Sequence, residues 1–341
     1  MHQPIIDLHC DLLSYLAGDA DHTPFDPQVR CSIPQMKDGH VRMQVLAIFA
    51  QTACGSAQVG LNQADIFKVI TNQISEDLAI IQCPEAVPHI MQGNRIGIIA
   101  AFENASGFCE ESEPLEEGLE RLKIIFGKVG RPLYIGFTWN HENRFGGGAL
   151  TDIGLKEDGK KLLEFLNGKH IAVDLSHASD RLAFEILQFI DQNELELSVL
   201  ASHSNVRNVT DNIRNLPNEL IQEISKRKGL IGLNCVRGFV GAHPDDFARH
   251  IEELLQLGAE NSLAFGADFF FDGDVPKNTP GRCPEGWFFD GFGGSDCYPS
   301  LLKLLQARLN LPDGTLEKLA FLNACSFLNR LWMPQLVGAR E

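Results

Sequence analysis

Eight short apolar runs punctuate this chain, at residues 4–11, 41–49, 95–102, 133–138, 170–175, 197–201, 229–234 and 262–267. Most are separated by stretches with helical spacing: 62–81, 115–126, 155–167, 179–192, 217–228 and 245–257. Repeated strand–helix units with continuously apolar strands either open as a doubly wound sheet or close as a barrel. Eight such units over about 270 residues fit the α/β class as a (β/α)8 TIM barrel. Residues 14–38 read as a polar, Pro-containing loop, and 269–298 as a long Gly-, Pro- and Phe-rich loop after the eighth strand. No composition break divides the chain. Residues 1–341 therefore read as one barrel domain, with 299–332 as closing C-terminal helices.

Composition excludes several partners. With 45 acidic and 29 basic residues the net charge is −16, which disfavours nucleic acid and anionic membrane surfaces. No apolar run approaches a membrane span. Nine cysteines, odd in number and without a C-x-x-C pair, read as reduced thiols. The chain enters its first strand without a basic and apolar leader, so a cytoplasmic location is expected.

In a barrel all strands end on one face, and chemistry collects there. The first strand ends in His9 and Asp11, an imidazole and a carboxylate two residues apart and so on the same side. Alone, that pair is equally a core histidine beside a helix cap. Later strands end the same way: Glu103 after the third, Trp139 and Asn140 after the fourth, His177 after the fifth, His203 after the sixth, Asp268 after the eighth. Three imidazoles and three carboxylates at equivalent positions point to metal rather than packing.

Five ligands and a further Asp exceed what one ion needs. Two divalent ions use them all, His9, Asp11 and Glu103 on one, and Glu103, His177 and His203 on the other. No lysine stands at a strand end to serve as a carbamylated bridge. Asp268 is left as general base. Arg214, in the loop after the sixth strand, could hold a carboxylate but reads by itself as a surface residue. His141, His243 and His250 read as solvated. The glycines at 146–148 lack the rest of a phosphate loop, and Asn104-Ala105-Ser106 carries no weight as a glycosylation site without a secretory signal.

Taken in order, several pieces resemble the membrane (renal) dipeptidase family of metal-dependent barrels. They are Asp7-Leu8-His9-Cys10-Asp11, Ala100-Ala101-Phe102-Glu103, Asp174-Leu175-Ser176-His177-Ala178-Ser179, Ala201-Ser202-His203-Ser204-Asn205, the run 209–216, Gly266-Ala267-Asp268 and Tyr298-Pro299. The resemblance implies two zinc ions bridged by Glu103, with His9, Asp11, His177 and His203 as the other ligands. It puts the family's strand-eight Asp on Asp268 and the arginine for the substrate's C-terminal carboxylate on Arg214. It implies hydrolysis of dipeptides, including those with a C-terminal D-residue, by a metal-bridging hydroxide, and is compatible with a homodimer.

Two departures bear on substrate. The family commonly has His after the fourth strand, where this chain has Trp139, with Asn140 beside it as the other candidate contact. An indole donates one hydrogen bond and carries no positive charge. The run Phe269-Phe270-Phe271 before Asp272-Gly273 is longer and more apolar than the family's, which implies an altered pocket rim. Other readings are an amidohydrolase acting on N-acyl amino acids or cyclic amides, a phosphoesterase on a similar barrel, and a non-catalytic metal-retaining barrel that binds a peptide.

Overall fold

A computed structural model describes residues 3–275 and 279–333. Nine parallel strands are present: β1 (Ile5–Cys10), β2 (Val41–Ile48), β3 (Leu78–Ile80), β4 (Ile96–Phe102), β5 (Tyr134–Gly136), β6 (Ala172–Asp174), β7 (Val199–Leu200), β8 (Ile231–Leu233) and β9 (Leu263–Phe265). Eight follow the order β7-β6-β5-β4-β2-β1-β9-β8, and β3 adds to the N-terminal half of β4. A bridge between Ala201 and Ile231 joins the two ends of that order, so the eight strands close into the (β/α)8 barrel.

Side chains alternate across the wall. Ile6, Leu8, Met43, Val45, Ile99, Ala101, Tyr134, Ala172, Leu200 and Ala264 form an inner cluster with Phe327, Leu328 and Trp332 of the last helix, Asn323–Trp332. The other parity packs outward under amphipathic helices. In Asp180–Gln192 the buried Leu182, Ala183, Ile186, Leu187 and Ile190 make one such stripe, and Ser179 caps the helix by accepting from the Leu182 N–H.

The β1–β2 register shifts twice, first between Ile5 and Ile6, where β2 carries the extra residue, and again in β1 near the mouth. Asp7 to Cys10 of β1 pairs with Gln44 to Leu46 of β2, three steps against two, so β1 carries one extra residue. Before it, Asp7 faces outward, where its carboxylate accepts from the Tyr298 hydroxyl at 2.6 Å and the Ala267 N–H at 3.0 Å. After it, His9 faces inward and meets Tyr134 of the inner cluster. Glycine serves a different need at Gly232 and Gly266: a Cβ on either would lie under 2 Å from the Ser202 carbonyl oxygen, so both keep the wall narrow beneath the mouth.

Three expectations are corrected. Residues 14–38 are not one loop: a helix runs Leu12–Gly18, and Ile33–Asp38 starts at a capping box in which Ser32 and Gln35 satisfy each other's backbone N–H. The stretch 62–81 is not one helix. Ser56–Gln73 is helical, but Leu78–Ile80 finds a parallel partner in Ile96–Ile98, and Ile74, Leu78 and Ile81 fit a helical stripe without forming one. His250 is not solvated. It is fully buried, its Nδ1 accepts from the Val206 N–H at 3.1 Å, and its Nε2–H donates to the Val240 carbonyl at 2.8 Å. The nine cysteines are unpaired, and no helix among the described residues is long and apolar enough to cross a membrane.

Burial lowers the His250 pKa from 6.5 to about 4. Its neutral form is the folded one, so its contribution is complete above pH 6.5 and is lost as pH falls toward 4. That gap is worth on the order of 3 kcal/mol. His250→Gln keeps a donor and an acceptor but cannot be protonated. Urea unfolding at pH 7 and pH 4.5 should show the variant less stable than wild type at pH 7, with a smaller loss on acidification.

Candidate metal centre

Several of the polar groups at the mouth arrive by the alternation that builds the wall. Ile99, Ala101 and Glu103 share a face, as do Ala172 and Asp174, Leu200 and Ser202, and Ala264, Gly266 and Asp268. His177 and Asp268 also sit at positive φ, 64° and 62°, a backbone conformation that costs a non-glycine residue about 1–2 kcal/mol. These two of the seven described non-glycine residues with positive φ lie at the mouth, where strain and function commonly coincide.

The six predicted groups do converge. Ligating atoms of His9, Asp11 and Glu103 lie within 4.8 Å of one another, as do those of Glu103, His177 and His203, and those of His9, His203 and Asp268. Glu103 belongs to two of the triads, with Oε2 3.7 Å from His9 Nε2 and Oε1 2.9 Å from His177 Nε2 and 3.8 Å from His203 Nε2. Asp268 Oδ1 is 3.8 Å from His9 Nε2, and Asn234 donates to its Oδ2 at 2.8 Å.

The hydrogen bonds behind the rings set their tautomers. The Tyr134 hydroxyl spends its one proton on the Leu8 carbonyl at 2.9 Å, so at 2.7 Å it accepts from His9 Nδ1–H. The Ser202 hydroxyl likewise donates to Asp174 Oδ2 at 2.5 Å and accepts from His203 Nδ1–H at 2.7 Å. His177 Nδ1–H donates to Asn140 Oδ1 at 3.0 Å. All three Nε2 atoms are thereby left as bare lone pairs facing the mouth.

Those lone pairs have no protein donor to meet. His9 Nε2, His203 Nε2 and Asp11 Oδ1 are buried without a hydrogen-bond partner, and His177 Nε2 faces a carboxylate oxygen, acceptor against acceptor. Burial holds the imidazoles neutral: His9 is lowered to about 3, and His177 and His203 fall well below the ordinary value. Burial and mutual repulsion push Asp11 and Glu103 upward, and burial takes Asp268 to about 7. Neutral nitrogen donors interleaved with crowded carboxylates make a site that divalent cations fit.

The mouth opens into a cavity lined by Asp11, Glu103, Trp139, His177, Arg214 and Asp268. Arg214 lines it, 4% exposed rather than on the surface, its guanidinium 5.5 Å over the Phe239 ring. Its Nη2 makes one long bond to the His203 carbonyl at 3.5 Å, and its Nε has no partner. Trp139 is half-buried between Phe49 and His177, at ring distances of 5.2 and 6.0 Å. Phe270 and Trp287, edge to face at 5.2 Å, form an apolar wall, with Phe270 supplied by the long Phe run.

Sequence reasoning missed the supporting groups Tyr134, Asp174, Ser202, Asn140's bond to His177, and Asn234. Asn234 was within reach, because it ends the seventh apolar run just as Asp268 ends the eighth. Asp174 and Ser202 lie inside the runs 174–179 and 201–205, but residue type alone gives them no task.

Comparison with known proteins agrees with this geometry. An uncharacterized dipeptidase of Schizosaccharomyces pombe is 23% identical over 97% of this chain and 80% of its own length. Human dipeptidase 3 is 24% identical over 89% of this chain and 60% of its own. Among solved structures, a metallo peptidase from Rhodobacter sphaeroides, liganded with a phosphinate mimic of the dipeptide L-Ala-D-Ala, superposes with a TM-score of 0.82. The identity is 20%, over 97% of this chain and all of that one. A dipeptidase of peptidase family M19 also gives 0.82, at 19% identity over 97% and 99% of the two chains. The family model for membrane dipeptidases matches residues 1–330, and the chain belongs to that family, peptidase family M19.

Proposed function

We propose that this barrel is a zinc-dependent dipeptidase holding two ions, with Glu103 between them, His9 and Asp11 on one side and His177 and His203 on the other. Family membership over residues 1–330 supports the activity, and the two triads sharing Glu103 support the pair. One observation carries the reading: three buried imidazoles, each with its Nδ1 proton committed behind it, present bare Nε2 atoms to the same carboxylate. Two divalent ions, when bound, supply an acidified water as nucleophile and an electrophile for the scissile carbonyl.

The chain's own residues do the rest. Asp268 is the base that takes the proton of the attacking water and passes it to the leaving amine. Asn234 fixes its Oδ2, which leaves Oδ1 toward the mouth. Arg214 pairs with the free carboxylate of the substrate; its unpartnered Nε and otherwise weak bonding leave the fork available. That requirement limits substrates to short peptides ending in the cavity. Asn140 holds the His177 ring, and Trp139 closes the rim with an apolar face where the family commonly places His.

Metal analysis of the purified protein together with a dipeptide panel that includes L-Xaa-D-Xaa members tests this directly. Two zinc ions per chain with release of free amino acids is the expected result, and metal without turnover of any dipeptide overturns it. Asp268→Asn should keep its metal content while kcat falls by about 100-fold or more. Metal loss in that variant would make Asp268 a ligand instead of a base. Trp139→His should raise kcat on dipeptides by about tenfold, read in steady-state assays; an unchanged kcat would remove Trp139 from any role in limiting the chemistry.

A further inference from the structure

The cavity holds one more charged group that nothing so far has used. Asp274 lies just past the Phe run, where the Phe271 carbonyl accepts from its N–H at 3.0 Å, and it lines the same cavity as Arg214 and Asp268. Its Oδ2 is buried and has no hydrogen-bond partner among the described residues. Asp272, two residues earlier, is by contrast exposed and paired with Arg30 at 2.8 Å.

The field around Asp274 is one-sided. It sits close enough to Asp11 to repel that carboxylate, and among the described residues the side chain offsetting its own charge is His22. The His22 Nδ1 is already engaged with the Tyr15 carbonyl at 2.6 Å. Arg214 is positioned otherwise: the carboxylates that act on it are Asp268, Glu103 and Asp174. The cavity therefore offers a guanidinium where Arg214 meets Phe239 and a separate carboxylate at Asp274, whose charge Asp11 feels.

We propose that Asp274 is the anchor for the free α-ammonium group of the substrate, and so selects aminoacyl over N-acylated and des-amino amides. This rests on the dipeptidase reading, and refines it. A dipeptide zwitterion carries one cation and one anion at its two ends, which matches that carboxylate and that guanidinium. An ammonium supplies the donor that Oδ2 lacks and the countercharge that its half-buried carboxylate lacks. An N-acyl substrate supplies neither, and leaves the carboxylate desolvated beside an apolar group.

The test is turnover of L-Ala-D-Ala and propionyl-D-Ala, run alongside calorimetric binding of the phosphinate analogue of L-Ala-D-Ala and its des-amino counterpart. Wild type, Asp274→Asn and the control Asp272→Asn are compared, each with metal content measured. The expected result is a loss of about 10- to 100-fold for the amine-bearing compounds in Asp274→Asn, carried by KM and by binding. The des-amino compounds, metal content and Asp272→Asn should be unchanged. Equal losses for both compound types, or none, would overturn the assignment. If wild type binds the analogue without hydrolysing any dipeptide, the dipeptidase reading fails, while the binding ratio between the two analogues still decides for or against Asp274. If wild type binds neither analogue, both fall.

Discussion

Everything at the mouth of this barrel follows from an imbalance: carboxylates and bare imidazole nitrogens are crowded together with too little positive charge among them. Asp11, Glu103 and Asp268 cannot all ionise comfortably so close together, and a single buried guanidinium among the described residues, Arg214, is shared by several of them. A protein evolved only for stability would not keep such a cluster, since apolar replacements of similar volume are commonly as stable or better. The wall around the cluster is correspondingly over-determined, with Tyr134, Ser202, Asp174 and Asn140 each committed to holding a ring in place. Two strained backbones, at His177 and Asp268, belong to the same arrangement.

The barrel and its six mouth residues were legible because they depend on local pattern. Short apolar runs identify buried strands, and a polar residue just past such a run is on the open face whatever the helices do. What was not legible depended on partners distant in sequence. Leu78–Ile80 became a strand because Ile96–Ile98 was available to pair with it, and nothing in residues 74–81 announces that. His250 looked solvated because its neighbours on the chain are charged, whereas its two bonds go to Val206 and Val240 on separate segments. Arg214 has the same character. Its burial under Phe239 is a tertiary fact, and only the family resemblance lifted it above a surface residue.

The cavity is also divided between wall and loops. The metal-facing residues stand on strand ends, where the wall fixes them. Trp139, Phe270, Trp287 and Asp274 stand on loops, which can change without disturbing the ring. Apolar surface gathers on one rim and opposite charges mark the interior, so selection of the substrate's side chains and of its termini falls to different elements.

The extra residue in β1 has a consequence for how the molecule comes into being. It turns His9 inward and Asp7 outward within a few residues, but β1 takes its final place only when β9 pairs with it, about 255 residues later in synthesis. The inward groups on β1 therefore wait through most of translation for their companions. The five proposed ligands all precede β8 and β9, yet His9 and His203, whose rings lie 3.8 Å apart, stand at opposite ends of the sheet until those strands close it, so cation binding favours the closed ring over any open sheet by mass action.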